Sequence, residues 1–106
     1  MAEFRGSLVI YVIATFRLRP GALEPFVEAA YALIDVARRD PGCIYYDLHA
    51  SVTDPDRVMC FEQWQDRPAF DHHLATPAVT AFNTAIEGLV LSSKVEIIHP
   101  DRIETP

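Results

Sequence analysis

Residues 8–18 (LVIYVIATFRL) constrain the fold more than any other stretch of this chain. β-Branched and aromatic side chains dominate the stretch, so it reads as a strand. Successive side chains of a strand point to opposite faces. Leu8, Ile10 and Val12 therefore point one way and Val9, Tyr11 and Ile13 the other, which makes both faces apolar. A sheet with one wet face would alternate apolar and polar residues. A chain of 106 residues builds a single core, and its own helices cover one face of the sheet. A bare second face would be an apolar patch of a kind soluble monomers seldom carry. The pattern predicts a symmetric partner packed sheet against sheet, a homodimer.

The other elements follow from punctuation and period. Arg19-Pro20-Gly21 stops the first strand. Residues 22–38 switch to helical period, with Leu23, Phe26, Val27, Ala30, Ile34 and Ala37 on one face and Pro25 in the first turn, where its missing N–H costs little. Arg38 and Arg39 suit a helix C-terminus, and Asp40-Pro41-Gly42 ends it. Residues 43–52 and 57–64 form two strands joined by the turn cluster Thr53-Asp54-Pro55-Asp56, a hairpin. Asp66 is placed to cap a helix over residues 68–75. Thr76-Pro77 caps and restarts that helix to about residue 87, and Gly88 ends it. Residues 89–98 form the last strand. The order β-α-β-β-α-β predicts an α+β, ferredoxin-like domain: a four-stranded antiparallel sheet with both helices on one face. Residues 8–100 form this single domain, with 1–7 as a loose leader and 101–106 as a tail.

A net charge of −6, with no basic patch, argues against nucleic acid. No apolar run approaches a membrane span, and the first residues lack the apolar core of a secretory signal. Two cysteines in that context suit a reducing, cytoplasmic compartment. Four glycines, scattered at turns, make no phosphate-binding loop, so no nucleotide or flavin dinucleotide motif exists. His72 and His73 are adjacent and diverge, and His49 and His99 lack ligand spacing, so no metal site is expected. The reading implies no cofactor.

Candidate chemistry collects on residues 61–77 (FEQWQDRPAFDHHLATP), which carry the only tryptophan and two of the four histidines. His73 shares a helix face with Phe70 and should point inward. There it is either a general base for a phenol or a histidine that merely holds the strand–helix corner. His72, about 100° around the helix, should face solvent. Trp64 is either a flat wall for an aromatic substrate or a core tryptophan. Glu62 shares a strand face with Trp64 and Cys60. Its carboxylate either orients the histidine or, the favoured alternative, pairs with an arginine at the sheet edge. Of Tyr45 and Tyr46 one faces the helices, and register decides which. Pairing the hairpin about Pro55 sets Tyr46 opposite Trp64, and pairing it half a residue earlier sets Tyr45 there. Either register places Cys60 opposite His49 or Ala50, too far from Cys43 for a disulfide, so both are expected as thiols. Asn83 is a polar candidate on the last helix.

The chain resembles the antibiotic biosynthesis monooxygenase family of dimeric α+β barrel proteins. The resemblance rests on Val12-Ile13-Ala14 leading into Arg19-Pro20-Gly21, on Pro41-Gly42-Cys43 with Tyr46, on Phe61-Glu62-Gln63-Trp64, and on His73-Leu74-Ala75-Thr76-Pro77. It covers residues 8–98. It implies the ferredoxin-like fold, a homodimer with facing sheets, and a pocket between helices and sheet. Members include oxygenases of anthrones and quinols that use no cofactor, haem-degrading enzymes and a signal-molecule isomerase, so the resemblance fixes the reaction weakly. Many members carry a second histidine straight after the Thr-Pro, where this chain has Ala78. The haem-degrading members need an asparagine late in the first strand, where alignment on the Pro-Gly turn puts Ala14, and their haem-ligand histidine lies further along the helix than His73. Haem degradation is disfavoured on both counts.

The resulting expectation is oxygenation of a small electron-rich aromatic, a quinol or anthrone, by dioxygen without a cofactor. His73 and Trp64 are the catalytic candidates, and Tyr46, Glu62, Cys60, Phe70 and Asn83 line the substrate. The alternatives are an isomerase or other proton-transfer enzyme acting on a small carbonyl compound, and a dimer that binds a small ligand without turnover.

Overall fold

The computed structural model describes residues 8–106 and the backbone of residues 2–5. Met1, Gly6 and Ser7, part of the expected leader, lie outside the described residues. In chain order the elements are β1 (Ala2–Arg5), β2 (Ile10–Leu18), α1 (Leu23–Ala37), β3 (Cys43–Ala50), β4 (Arg57–Trp64), α2 (Arg67–Leu74), α3 (Pro77–Ile86), β5 (Val90–Ile98) and β6 (Arg102–Thr105). The main sheet has the order β3-β4-β2-β5 with every neighbour antiparallel, the ferredoxin-like topology. β1 and β6 pair antiparallel as a separate two-stranded sheet. That pairing engages residues for which the sequence suggested a leader and a tail.

β2 is an inner strand, hydrogen-bonded to β4 on one side and β5 on the other. Ile10, Val12 and Ala14 are buried toward the helices, while Tyr11 and Ile13 are half-buried on the other face. The alternation does not extend to the first two residues expected in the strand. Val9 is buried and Leu8 is exposed, because regular pairing begins only at Ile10.

α1 buries Phe26, Ala30, Leu33 and Ala37. The three- and four-residue steps between them form one helical stripe, which includes Leu33, a residue missing from the expected face. Phe26 meets Phe16 and Phe82 edge-on or tilted at centroid distances of 5.1 and 5.5 Å, tying α1 to β2 and α3. Asp66 caps α2 as expected, its Oδ1 accepting from the Ala69 N–H at 2.8 Å. Thr76 behaves differently. It makes no side-chain cap for α3, and its hydroxyl instead donates to the His73 carbonyl at 2.8 Å, fastening the end of α2. No helix among the described residues is long and apolar enough to cross a membrane.

The outer face of the sheet carries Tyr11, Ile13, Phe61, Tyr45 and Ile98, with Phe61 in ring contact with both tyrosines. α1 packs on β3 and α2 on β4. β5 receives less cover, and Val95, which pairs with buried Ala14, remains 57% exposed.

Candidate active site

β4 delivers the polar residues of the site. Its even-numbered side chains Val58, Cys60, Glu62 and Trp64 are all buried toward the helices, as the period-two pattern requires. The hairpin register matches neither alternative read from the sequence. Tyr46 stands opposite Glu62, Leu48 opposite Cys60, and Cys43 opposite Trp64, with an irregularity between Cys43 and Tyr45. The loop closes between Ser51 and Arg57, a pairing centred on Asp54 and not on Pro55. Tyr46 is consequently the buried tyrosine and Tyr45 the outer one. Cys43 and Cys60 are both free thiols.

The strand, the turn after α1, and α2 converge on one cluster. The His73 ring lies 4.8 Å from the Trp64 ring, centroid to centroid, at 35°. Tyr46 meets His73 edge-on at 5.3 Å, and Phe70 flanks both Trp64 and His73. His73 is 3% exposed, whereas His72 faces solvent, as their 100° separation dictates. His73 Nδ1 is 3.1 Å from Asp40 Oδ2. A carboxylate only accepts, so Nδ1 carries the hydrogen. Burial lowers the His73 pKa, partly offset by Asp40, and the ring is neutral at pH 7.

The sequence marks Asp40 only as a helix-stop residue. Its approach to His73 depends on Gly42, whose φ of +85° suits glycine. A Cβ on Gly42 would stand 2.6 Å from Ala69 Cβ and 2.9 Å from the Gln65 side chain. The missing side chain lets the turn lie against the start of α2, and the Gly42 carbonyl accepts from the Gln65 N–H at 2.8 Å. The sequence likewise marks Arg38 only as a helix end. Its Nε donates to the Tyr46 carbonyl at 3.0 Å and fixes β3 against α1.

Glu62 is 5% exposed, and its Oε1 accepts from Trp64 Nε1 at 2.9 Å. Among the described residues it makes no ion pair, so the expected arginine partner is absent. Nor does it orient His73, whose partner is Asp40. Burial raises the Glu62 carboxyl to about 7, with hydrogen bonds from Trp64 and Cys60 pulling it back. Burial also pushes the Cys60 thiol and the Tyr46 phenol well above their ordinary values, and the nearby Glu62 adds to both. Cys43 is raised to about 11 by burial, with Glu62 and Asp40 contributing, which leaves it a poor nucleophile at neutral pH.

A cavity of about 50 Å³ lies between sheet and helices. Tyr46, Cys60 and Glu62 supply its polar wall. Ala14, Leu33 and Phe82 are among its apolar lining, and half-buried Phe16, Ile34 and Leu48 also border it. Trp64 and His73 are not among the lining residues; they stand one layer behind Glu62. Phe70 sits in that rear layer too. Asn83 is exposed on α3 and lies outside the cavity, because the helix turns neighbouring Phe82 inward. The arrangement can exchange a proton with a small molecule at a carboxyl group in apolar surroundings.

A model of the family described as antibiotic biosynthesis monooxygenase matches residues 9–85. The Probable quinol monooxygenase YgiN of Escherichia coli K12 is 28% identical over 102 residues, covering 87% of this chain and 98% of that protein. The uncharacterized protein sll1783 of Synechocystis is 32% identical over 68 residues, covering 64% of this chain and 46% of that protein, so the match spans about half of that relative's length. Among solved structures, protein SO0527 from Shewanella oneidensis superposes with a TM-score of 0.86 at 34% identity, covering 97% of this chain and all of that one.

Proposed function

The chain belongs to the antibiotic biosynthesis monooxygenase family, and from that premise we propose that it is a monooxygenase that oxygenates a small quinol with dioxygen, without a cofactor, as a homodimer. The observation that carries this reading is the carboxyl group of Glu62 in the wall of an otherwise largely apolar cavity, beside the Tyr46 phenol. A quinol deprotonated in a dry site becomes a strong electron donor and can itself reduce dioxygen. The similarity to a protein named a probable quinol monooxygenase supports the same substrate class.

The cavity volume narrows the substrate. Benzene occupies a cavity of about 150 Å³ in a protein core, three times the space here. A bound aromatic would present one hydroxyl-bearing edge to Glu62 and leave its far side at the half-buried rim. That favours a one- or two-ring quinol over a three-ring anthrone. The homodimer is supported by the apolar outer face around Tyr11, Ile13 and Phe61. The free thiols of Cys43 and Cys60 suit a cytoplasmic setting.

A second reading, proton transfer on a small carbonyl compound, draws on the same small volume and the same carboxyl group. Oxygen consumption separates the two. Purified protein given a panel of quinols and anthrones should consume dioxygen above the protein-free rate and release the hydroxylated quinone. Isomerised product with no oxygen uptake would establish the second reading, and no turnover of any kind would leave only binding.

A further inference from the structure

We propose that Glu62 is the residue that exchanges protons with the substrate, and that His73 and Asp40 are positioning residues that hold Trp64, and through it Glu62, in place. This rests on the monooxygenase reading above. Of the two roles the sequence leaves open for His73, it takes the one that holds the strand–helix corner, and it moves the base to Glu62.

The geometry carries the assignment. Glu62 reaches the cavity and His73 does not. The His73 ring is enclosed by Trp64, Tyr46 and Phe70, and its Nδ1 is held by Asp40. A proton leaving a molecule in the cavity meets the Glu62 carboxylate before it meets the imidazole. Trp64 Nε1 holds Oε1 of that carboxylate, and the Trp64 ring is backed by His73. The path from Asp40 to Glu62 is therefore a chain of supports, each fixing the next.

The surroundings of Glu62 suit an acid–base group. Cys60 and Trp64 flank it on β4, Tyr46 and Cys43 approach from β3, and Val12 lies opposite on β2. α1 contributes Ala30, Leu33 and Ile34 to the cavity and α3 contributes Phe82. On the α2 side, His73 stands behind Trp64, with Asp40 beyond it. No cation pairs with Glu62 among the described residues, so burial dominates and places its titration at about 7. A base with that value is half ionised at neutral pH, the condition for accepting and returning a proton in one cycle.

The step balances without an added reductant. Glu62 carboxylate takes the proton of one quinol hydroxyl. The phenolate gives one electron to dioxygen, and the two radicals join at the adjacent ring carbon, forming a C–O bond. Glu62 returns its proton to the peroxide. It then takes the hydrogen of that same carbon as a proton while the O–O bond breaks, leaving a carbonyl on the ring and a departing hydroxide. The second return of the proton makes water. Four electrons leave the substrate; one oxygen atom enters the hydroxyquinone and the other becomes water.

The test compares wild type, Glu62→Gln, His73→Ala and His73→Gln in steady-state quinol oxygenation across pH 5.5–9. Wild-type kcat/KM should rise to a plateau with a midpoint near 7. Glu62→Gln should lower kcat by about 10²- to 10⁴-fold, the usual worth of a positioned base, and abolish the pH limb. Either His73 variant should lower kcat by less than that and keep the limb, its midpoint displaced. A limb that survives in Glu62→Gln and vanishes in both His73 variants overturns the assignment. Where wild type oxygenates nothing in the panel, the monooxygenase reading fails and the assignment is read separately with 4-nitrophenol at pH 7. Proton transfer to Glu62 should make the nitrophenolate band grow on binding to wild type and not on binding to Glu62→Gln. Growth with both proteins, or with neither, overturns it.

Discussion

Asp40 Oδ2 lies 3.1 Å from Nδ1 of His73, a residue on a different element thirty-three positions later. The contact joins the turn after α1 to the end of α2, and behind it stands the only tryptophan of the chain. It makes the rear wall of the cavity a hydrogen-bonded support, and it accounts for a histidine buried with hardly any exposure.

His73→Ala should therefore cost stability. The variant removes a ring packed against Trp64, Tyr46 and Phe70 and leaves Asp40 without its partner. The expected loss is about 2–4 kcal/mol, and Asp40→Asn should lose about 1 kcal/mol. Urea unfolding of both variants measures this, and unchanged midpoints would show that the contact supports nothing.

Glu62 should make the folded protein less stable as pH rises. Its folded value of about 7 exceeds the ordinary 4.5, so its contribution is full below about pH 4.5 and is lost as pH climbs through 7. His73 acts oppositely: its folded value is depressed, so stability is lost as pH falls below its ordinary value of 6.5. Comparison with Glu62→Gln cancels the histidine. The stability of Glu62→Gln relative to wild type should grow by up to about 3 kcal/mol between pH 4.5 and 7 and then level off. Denaturant melts at several pH values read this directly, and a flat difference would mean that Glu62 titrates normally.

Ile13→Asp should break the proposed homodimer. Ile13 sits on the outer face beside Phe61, and a charge buried there without a partner costs several kcal/mol. Sedimentation at micromolar concentration should give twice the chain mass for wild type and a monomer or aggregate for the variant. A wild-type monomer would remove the dimer from the reading.

Gly42→Ala should destabilise the protein by about 2 kcal/mol or more, because φ of +85° and the Ala69 contact at 2.6 Å both oppose a side chain. The turn must move off α2, taking Asp40 away from His73. A thermal melt and the His73 imidazole titration followed by NMR should change together.

Purified protein given haem and a reductant should leave the haem intact. Ala14, at the position where the resemblance implies an asparagine in haem-degrading members, lines the cavity with a methyl group, and His73 is enclosed by rings and engaged with Asp40. Linear tetrapyrrole in that assay would overturn this expectation.

Local period, turn residues and motif spacing are enough to give the order of the elements between residues 8 and 98, the ferredoxin-like class, the family, and the shared face of Cys60, Glu62 and Trp64; the pairing of β1 with β6 is not among them, because it joins the two ends of the chain. It also placed His73 inward and His72 outward, since one helical step separates them. The hairpin register had to come from the folded chain, because a shift of half a residue in the loop exchanges Tyr45 for Tyr46 and no local signal distinguishes the two. Tertiary structure also decided which polar groups meet. Asp40 reaches His73 because Gly42 lets two distant segments touch, and Glu62, not His73, borders the cavity because α2 sets the imidazole behind Trp64. Contacts between residues far apart in the chain depend on how close backbones come, and a periodic pattern carries no record of that distance.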